Sequence, residues 1–143
     1  MFGRSADYAL RALLFLAREG DDDQYLHADA IARATGMPVN YTGKILNTLV
    51  REGILDSSRG PAGGFRLAVD PVEVTAARIM DLFNTAPANR QCILGSKPCN
   101  QRRPCDAHRR WSAVLDAQRA PLAATTIADL ALSTPSKRNG HHA

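Results

Sequence analysis

Residues 28–51, ADAIARATGMPVNYTGKILNTLVR, decide the fold of this chain. They contain two short amphipathic segments, one from about Ala28 to Ala34 and one from about Pro38 to Arg51. The intervening Thr35-Gly36-Met37 breaks the first helix, and proline suits the first turn of the second because its missing N–H has no helical partner there. Two short helices joined by a tight glycine-containing turn are typical of the helix-turn-helix motif.

The residues after this motif predict a β-hairpin. One strand begins at Ile54, and apolar side chains alternate along a second strand at Phe65, Leu67 and Val69. Between the strands, residues 57–64 (SSRGPAGG) contain three glycines, which permit a tight loop with positive φ values. A hairpin directly after a helix-turn-helix is a wing, so the sequence predicts a winged helix-turn-helix.

Further helices flank this motif. The first begins after Ser5, which is a good N-cap, and runs to Glu19. It is apolar nearly all round, so we expect it to be buried on most faces, in part by a second subunit. Another helix is predicted from Thr75 to Phe83.

A long amphipathic helix is predicted from Asp106, and we interpret it as a dimerisation helix because its apolar stripe needs a partner surface. Pro121 is expected to end or kink this helix. Residues 125–132 form a short closing helix in this prediction, and residues 133–143 a disordered tail.

The composition favours a nucleic-acid-binding protein of the cytoplasm. The net charge is +4 and the isoelectric point is about 9.3, a basic balance that suits polyanionic partners. The longest apolar stretch falls short of the roughly 20 residues of a membrane span, and the N-terminus lacks a signal-peptide pattern, so we expect a cytoplasmic protein without a membrane partner. A disulfide framework is disfavoured there, and three cysteines are an odd number.

The cysteines lie in a stretch without helical or strand periodicity. Cys92, Cys99 and Cys105 are separated by six and five residues, and His108 follows three residues after the last. Zinc sites usually have closely paired ligands, whereas this wider spacing lets three thiolates converge on an iron–sulfur cluster, for which histidine is a known further ligand. The alternative is three unliganded thiols in a mobile loop.

Basic residues surround these cysteines and lower thiol pKa values, which favours both ligation and oxidation. They are Arg90, Lys97, Arg102, Arg103, Arg109 and Arg110, against the single acid Asp106. The predicted fold is thus mainly α with a small β-hairpin. Residues 1–83 form the winged helix-turn-helix domain, 84–105 a cysteine-rich cluster-binding loop, and 106–132 the dimerisation and closing helices.

Residues at the start of the second helix and around the wing are candidates for contact with DNA. The N-terminal half of a recognition helix enters the major groove, and arginines of a wing reach phosphates or the minor groove. The candidates are Asn40, Tyr41, Thr42, Lys44, Arg59, Gly60 and Arg66. The alternative interpretation is ordinary surface polarity, since helix-turn-helix folds also serve as protein-interaction modules.

The order of these features resembles the IscR/NsrR-type regulators of the Rrf2 family. The wing sequence Arg59–Phe65 (RGPAGGF) and the three-cysteine stretch are the most specific parts of the resemblance, and residues 122–130 (LAATTIADL) are also typical. Two departures are Ala62, where a glycine is usual, and Pro121 in the late helix.

The resemblance implies a homodimer that binds a roughly palindromic DNA operator. It also implies a 2Fe–2S or 4Fe–4S cluster, of which we favour 2Fe–2S, held by Cys92, Cys99 and Cys105. For the fourth ligand, His108 matches the histidine of IscR-like members, and Asp7 matches the aspartate that NsrR-like members supply from the other subunit. We favour His108, although an acid in a first helical turn also complements the helix dipole.

The leading hypothesis is a repressor whose DNA affinity follows a cluster that senses redox state, nitric oxide or the supply of iron and clusters. The alternative is a cluster-free winged-helix regulator that responds to cysteine thiol oxidation or to a partner protein. A small electron-transfer or cluster-carrier protein is a third hypothesis, but it leaves the helix-turn-helix without a purpose. No catalytic constellation is visible in the sequence, which predicts a protein that is not an enzyme.

Overall fold

The computed structural model describes residues 3–83 and 106–133, which form six α-helices and one two-stranded antiparallel hairpin. The elements in chain order are α1 (Arg4–Glu19), α2 (Ala28–Thr35), α3 (Val39–Arg51), β1 (Leu55–Ser58), β2 (Gly64–Leu67), a 3-10 turn (Pro71–Glu73), α4 (Ala76–Phe83), α5 (Asp106–Ala124) and α6 (Ile127–Ser133). The predicted fold class is confirmed. Within the described residues, no helix is long and apolar enough to cross a membrane.

Helices α2 and α3 form the predicted helix-turn-helix. Gly36 ends α2 in the left-handed conformation, with φ of 72°, and the backbone N–H of Met37 donates to the carbonyl of Ala32 over 3.0 Å. Glycine adopts this conformation without the steric cost of a Cβ, so the chain turns sharply into α3. Pro38 is the N-cap of α3 and not its first residue.

Helix α1 is the central element of the core. It contacts α2, α3, α4, α6 and β2, and one face of it is fully buried. The buried residues of that face are Ala6, Ala9, Leu10, Ala12, Leu13 and Leu16. The prediction that Ser5 caps this helix is wrong: Gly3 is the N-cap, and Ser5 lies inside the first turn, where its Oγ forms a hydrogen bond with the hydroxyl of Tyr41.

The hairpin carries an additional bridge that joins it to the helix-turn-helix. Leu55 pairs with Leu67 and Ser58 with Gly64, which sets the register of β1 against β2. Leu26, just before α2, exchanges two backbone hydrogen bonds of 2.9 and 2.8 Å with Phe65. The wing is therefore held on its second side by the segment that leads into α2.

Helix α6 returns to the core and is fastened at both of its ends. At its start, Ala76 donates to the carbonyl of Thr125 over 2.9 Å and Ile127 to that of Val74 over 2.8 Å, and the Ile127 side chain is buried. At its end, the Arg18 guanidinium of α1 donates to the carbonyl of Ala131 over 3.1 Å. A cation at these terminal carbonyls also complements the helix dipole.

A capping box begins α6. Thr126 Oγ1 accepts from the Asp129 N–H at 3.1 Å, and Asp129 Oδ2 accepts from the Thr126 N–H at 3.0 Å. The backbone N–H of Thr126 and, to a smaller extent, its hydroxyl hydrogen-bond the Asp129 carboxylate and hold the pKa of Asp129 below its usual range. The closing helix is thus specified locally as well as by its packing.

Helix α5 is exposed along most of its described side chains. Pro121 lies inside it and the helix continues to Ala124, so Pro121 does not end the helix, and the alternative expectation of a kink stays a prediction. A bidentate ion pair between Arg119 and Asp81 joins α5 to α4, with one of its N–O distances 2.7 Å. Ser133, the first residue of the predicted tail, is the last residue of α6, and residues 134–143 lie outside the described part.

We predict that Gly64→Ala unfolds the wing. Gly64 has φ of 139°, and a Cβ built there would lie 2.2 Å from the carbonyl oxygen of Leu26, in the bridge that holds the hairpin. Because both backbone strain and a collision with main-chain atoms arise, we expect a loss of unfolding free energy above about 2 kcal/mol. Chemical denaturation followed by circular dichroism measures it.

Gly60→Ala is the matched control for this prediction. Gly60 also has a positive φ, 99°, but a Cβ there meets no described atom within 4 Å. The unfolding free energy of this variant should fall by about 1–2 kcal/mol, which is the steric cost of a Cβ in the left-handed conformation. Equal losses at both positions would show that the collision with Leu26 is relieved and that only φ matters.

Candidate nucleic-acid interface

One face of α3 is exposed and carries polar and basic side chains. Asn40, Lys44, Asn47 and Arg51 are all exposed and recur every three or four residues. Such a spacing places them in one row along a helix. Only the first two were predicted from the sequence. Asn47 and Arg51 were missed, although continuing the same periodicity through the helix identifies both.

The start of α3 also presents an apolar side chain to solvent. Val39, the first residue of the helix, is 55% exposed. The first turn contains no acidic residue. The positive end of the helix dipole is therefore not neutralised, which favours an approaching anion such as phosphate.

Thr42 does not belong to this face. It is 0% exposed, and its hydroxyl donates to the carbonyl of Pro38 over 2.9 Å. The hydroxyl is satisfied within the first turn of its own helix, and the side chain is buried. We therefore withdraw Thr42 from the residues predicted to contact DNA.

Tyr41 is half-buried against the first helix. Its hydroxyl forms the hydrogen bond with Ser5, and its ring meets that of Tyr8 edge-on, with centroids 5.7 Å apart. Both partners lie in the first turns of α1. In this structure the Tyr41 side chain packs against α1 and holds the recognition helix there.

The tip of the wing is exposed and internally braced. Arg59 and Gly60 are both exposed, as predicted contacts with DNA need to be. The N–H of Gly63 donates to the carbonyl of Gly60 over 2.9 Å, and His27 at the start of α2 forms a 2.9 Å hydrogen bond with the carbonyl of Pro61. The loop is thus held beside the helix-turn-helix.

Ala62 fits this loop without strain. Among the described residues, only glycines have positive φ values, and Ala62 is exposed. The substitution of alanine for a usual glycine therefore leaves the backbone of the wing free of the steric cost that an alanine meets in the left-handed region.

Arg66 points into a network at the base of the wing. Its guanidinium donates to the carbonyl of Asp22 over 3.1 Å and lies 3.4 Å from Asp56 Oδ2, its partner across the hairpin. It also stacks over the ring of Tyr25, 4.5 Å from the centroid. These contacts make Arg66 a bracing residue at the base of the wing, and its role as a phosphate contact stays a prediction.

Tyr25 completes the same network. Its hydroxyl donates to Asp56 Oδ2 over 3.0 Å, and this hydrogen bond is the main reason that the pKa of Tyr25 is raised. This network joins three parts of the chain: the loop after α1 that contains Asp22, the hairpin, and the segment before α2.

The predicted ligand set lies mostly outside the described residues. Cys92, Cys99 and Cys105 are not described, and neither is the side chain of His108, whose backbone is in the first turn of α5. In the parts of the chain that are described, no group of three or more potential ligands comes together.

Asp7, the alternative fourth ligand, is described. Its side chain is 43% exposed, and its Oδ2 lies 2.9 Å from the Arg11 guanidinium, one turn further along α1. An exposed carboxylate is a suitable oxygen donor, accessible from outside the protomer. A metal there would compete with Arg11 for the same oxygen.

Comparison with known proteins places the chain among bacterial regulators. The family model described as "Rrf2: Iron-dependent Transcriptional regulator" matches residues 2–132. A candidate HTH-type transcriptional regulator of Aquifex aeolicus (strain VF5) is 31% identical over 132 residues, which cover 91% of this chain and 90% of that protein.

Two solved structures share the fold. One is CymR, titled the global cysteine regulator of B. subtilis, with a TM-score of 0.73 and 22% identity over 94% of this chain and 98% of that one. The other is IscR of T. potens, with a TM-score of 0.70 and 21% identity over 91% of this chain and 85% of that one.

We predict that Arg66→Ala destabilises the fold whereas Arg59→Ala does not. The first change removes the carbonyl contact, the pairing with Asp56 and the cation–π contact, for a loss of about 1 kcal/mol in unfolding free energy. Arg59 is exposed at the wing tip, and its removal should be neutral within about 0.5 kcal/mol. Urea denaturation of both variants measures the difference, and equal stabilities would contradict the assignment of Arg66.

Proposed function

Because this chain belongs to the Rrf2 family of transcriptional regulators, we propose that it is a repressor that binds a roughly palindromic operator as a homodimer, under the control of an iron–sulfur cluster. Membership of the family shows the coarser function, that of a DNA-binding transcriptional regulator. It also confirms the prediction that the chain is not an enzyme, since the family and its relatives are regulators.

The observation that carries the proposal is the exposed face of α3 beside a braced wing. Asn40 and Asn47 offer amide groups for base edges, and Lys44 and Arg59 offer cations for phosphates. Because Leu26 and His27 tie the wing to the start of α2, the wing tip is held next to the helix-turn-helix. Such a surface suits one half-site of duplex DNA.

The proposal of a homodimer is supported by α5. It contacts α4 but is exposed along most of its described length, and Val114 on it is 47% exposed. An exposed helix that leaves an apolar side chain such as Val114 in solvent gains stability when a second copy covers it. Two recognition helices related by a two-fold axis then match a palindromic operator.

The cluster proposal is supported by the donor set and by the family description. Three thiols with His108 or Asp7 provide the sulfur, nitrogen or oxygen donors that an iron–sulfur cluster takes. The group, when bound, would make the protein responsive to redox state, nitric oxide or the supply of iron and clusters. We favour a 2Fe–2S form over 4Fe–4S, with Cys92, Cys99 and Cys105 as its thiolate ligands, in a protein of the cytoplasm.

The first turns of α1 provide a physical path from such a site to the recognition helix. Asp7 lies between Ser5 and Tyr8, which both contact Tyr41 of α3. If Asp7 is the fourth ligand, the cluster would therefore lie next to the contacts that hold Tyr41, and with it α3, against α1. A shift between two conformations with different DNA affinities requires contacts that differ between them.

A second candidate function is regulation without a cluster. The structural similarity to CymR, a protein titled as a cysteine regulator, is the observation that favours it. In that case the cysteines act as a redox-sensitive thiol switch, or a partner protein supplies the signal. Both candidates use the same DNA-binding surface.

We predict that Lys44→Ala and Arg59→Ala each weaken DNA binding without loss of stability. Each removes an exposed cation, so the slope of log affinity against log salt should decrease by roughly 0.9 for each phosphate that is no longer neutralised. Fluorescence anisotropy on DNA selected from a random pool by the wild-type protein measures this slope. Arg78→Ala removes an exposed arginine of α4 and is the control, with an unchanged slope.

We predict that anaerobically purified protein is coloured and that Cys105→Ala is not. Mössbauer spectra distinguish 2Fe–2S from 4Fe–4S and, for His108→Ala and Asp7→Ala, identify the fourth ligand by a changed spectrum. Asp29→Ala is the control for Asp7→Ala, because Asp29 is likewise a first-turn acid, in α2.

A colourless protein whose DNA affinity responds to thiol oxidation would reject the cluster and support the second candidate. A coloured protein that binds no DNA at low salt would instead favour the electron-transfer hypothesis.

A further inference from the structure

Gly43 in α3 has no structural explanation within the described fold. It lies in the second turn of the helix and is not among the glycines with positive φ. A Cβ built on it would meet no described atom within 4 Å. Glycine in a helix interior costs about 0.5–1 kcal/mol relative to alanine. Neither backbone conformation nor packing in the described fold accounts for that cost.

The absence of a side chain at Gly43 leaves space over the preceding turn of α3. Helical side chains point back toward the N-terminus, so a side chain at position 43 would lie over the turn that contains Val39 and Asn40. With glycine there, Val39 is 55% exposed although it is apolar and begins a well-packed helix. Val39 and Gly43 are one turn apart and flank the exposed row that carries Asn40 and Lys44. The space above Gly43 is open, and we call this open position next to the exposed Val39 side chain the Val39–Gly43 notch.

We propose that this Val39–Gly43 notch accepts the 5-methyl group of a thymine in the major groove, which makes both residues determinants of operator sequence. This inference rests on the proposed function. The thymine methyl is the apolar group that the major groove presents, and an apolar side chain is its usual partner. Asn40, beside the notch, is placed to hydrogen-bond an adjacent base such as adenine through its amide.

The test uses DNA selected from a random pool by the full-length protein, prepared both anaerobically and after iron chelation. In the selected sequence, each thymine is replaced in turn by deoxyuridine, which lacks only the methyl group. We expect one replacement per half-site to weaken binding about fourfold, the effect of one methyl group no longer buried. Other thymines should be replaceable without loss.

Substitutions in the protein should abolish that discrimination. Gly43→Leu fills the notch and Val39→Ala removes its apolar wall, so both should bind the thymine and deoxyuridine operators equally. Gly43→Ala should raise the melting temperature by a few degrees and still weaken operator binding, because the helix gains stability while the notch narrows. Val72→Ala, at another exposed valine outside α3, should change neither property.

The outcomes separate this inference from the proposed function. If wild-type protein selects a DNA sequence but binds its thymine and deoxyuridine forms equally at every position, the notch is not a methyl site. Unchanged affinity and discrimination in Gly43→Ala and Gly43→Leu would overturn it as well. If the wild-type protein selects no DNA in either preparation, the proposed function itself fails.

Discussion

The burial of one face of α1 is the interaction on which the rest of the structure depends. Leu10, Leu13 and Leu16 lie in the centre of the core, and helices α2, α3, α4 and α6 and strand β2 all contact this helix. Each fully buried leucine of this kind contributes about 2 kcal/mol through the hydrophobic effect. Since α6 packs on the same helix as α2 and α3, the C-terminal part of the chain and the helix-turn-helix share one core.

Through that shared core, α1 contacts both the recognition helix α3 and the closing helix α6. The first turns of α1 hold Asp7 on the exposed side and Ser5 and Tyr8 against Tyr41 on the other. The last turn holds Arg18 at the carbonyl ends of α6. Helix α1 therefore connects the recognition helix α3 to the closing helix α6, which are far apart in the sequence.

The wing is positioned by main-chain contacts in which glycine has a steric role. Gly64 permits the approach of Leu26 to the hairpin, and the backbone bridge from Leu26 to Phe65 then ties the wing to α2. The side chains of Arg66, Asp56 and Tyr25 brace the same region from the other side. The exposed part of the interface is thereby reduced to the wing tip and one face of α3.

The order and approximate bounds of the elements follow from the sequence alone, because helix periodicity, the glycine at the turn and strand alternation are local signals. The sequence also identified Asn40, Lys44, Arg59 and Gly60, which the structure leaves exposed. Which polar side chains are used inside the fold depends instead on how distant segments pack together. Thr42 is buried, Ser5 meets Tyr41 36 residues away, and Arg66 reaches a carbonyl 44 residues away. Partners at such separations leave no periodic trace in the sequence, because they depend on how α1, α3 and the hairpin pack against one another.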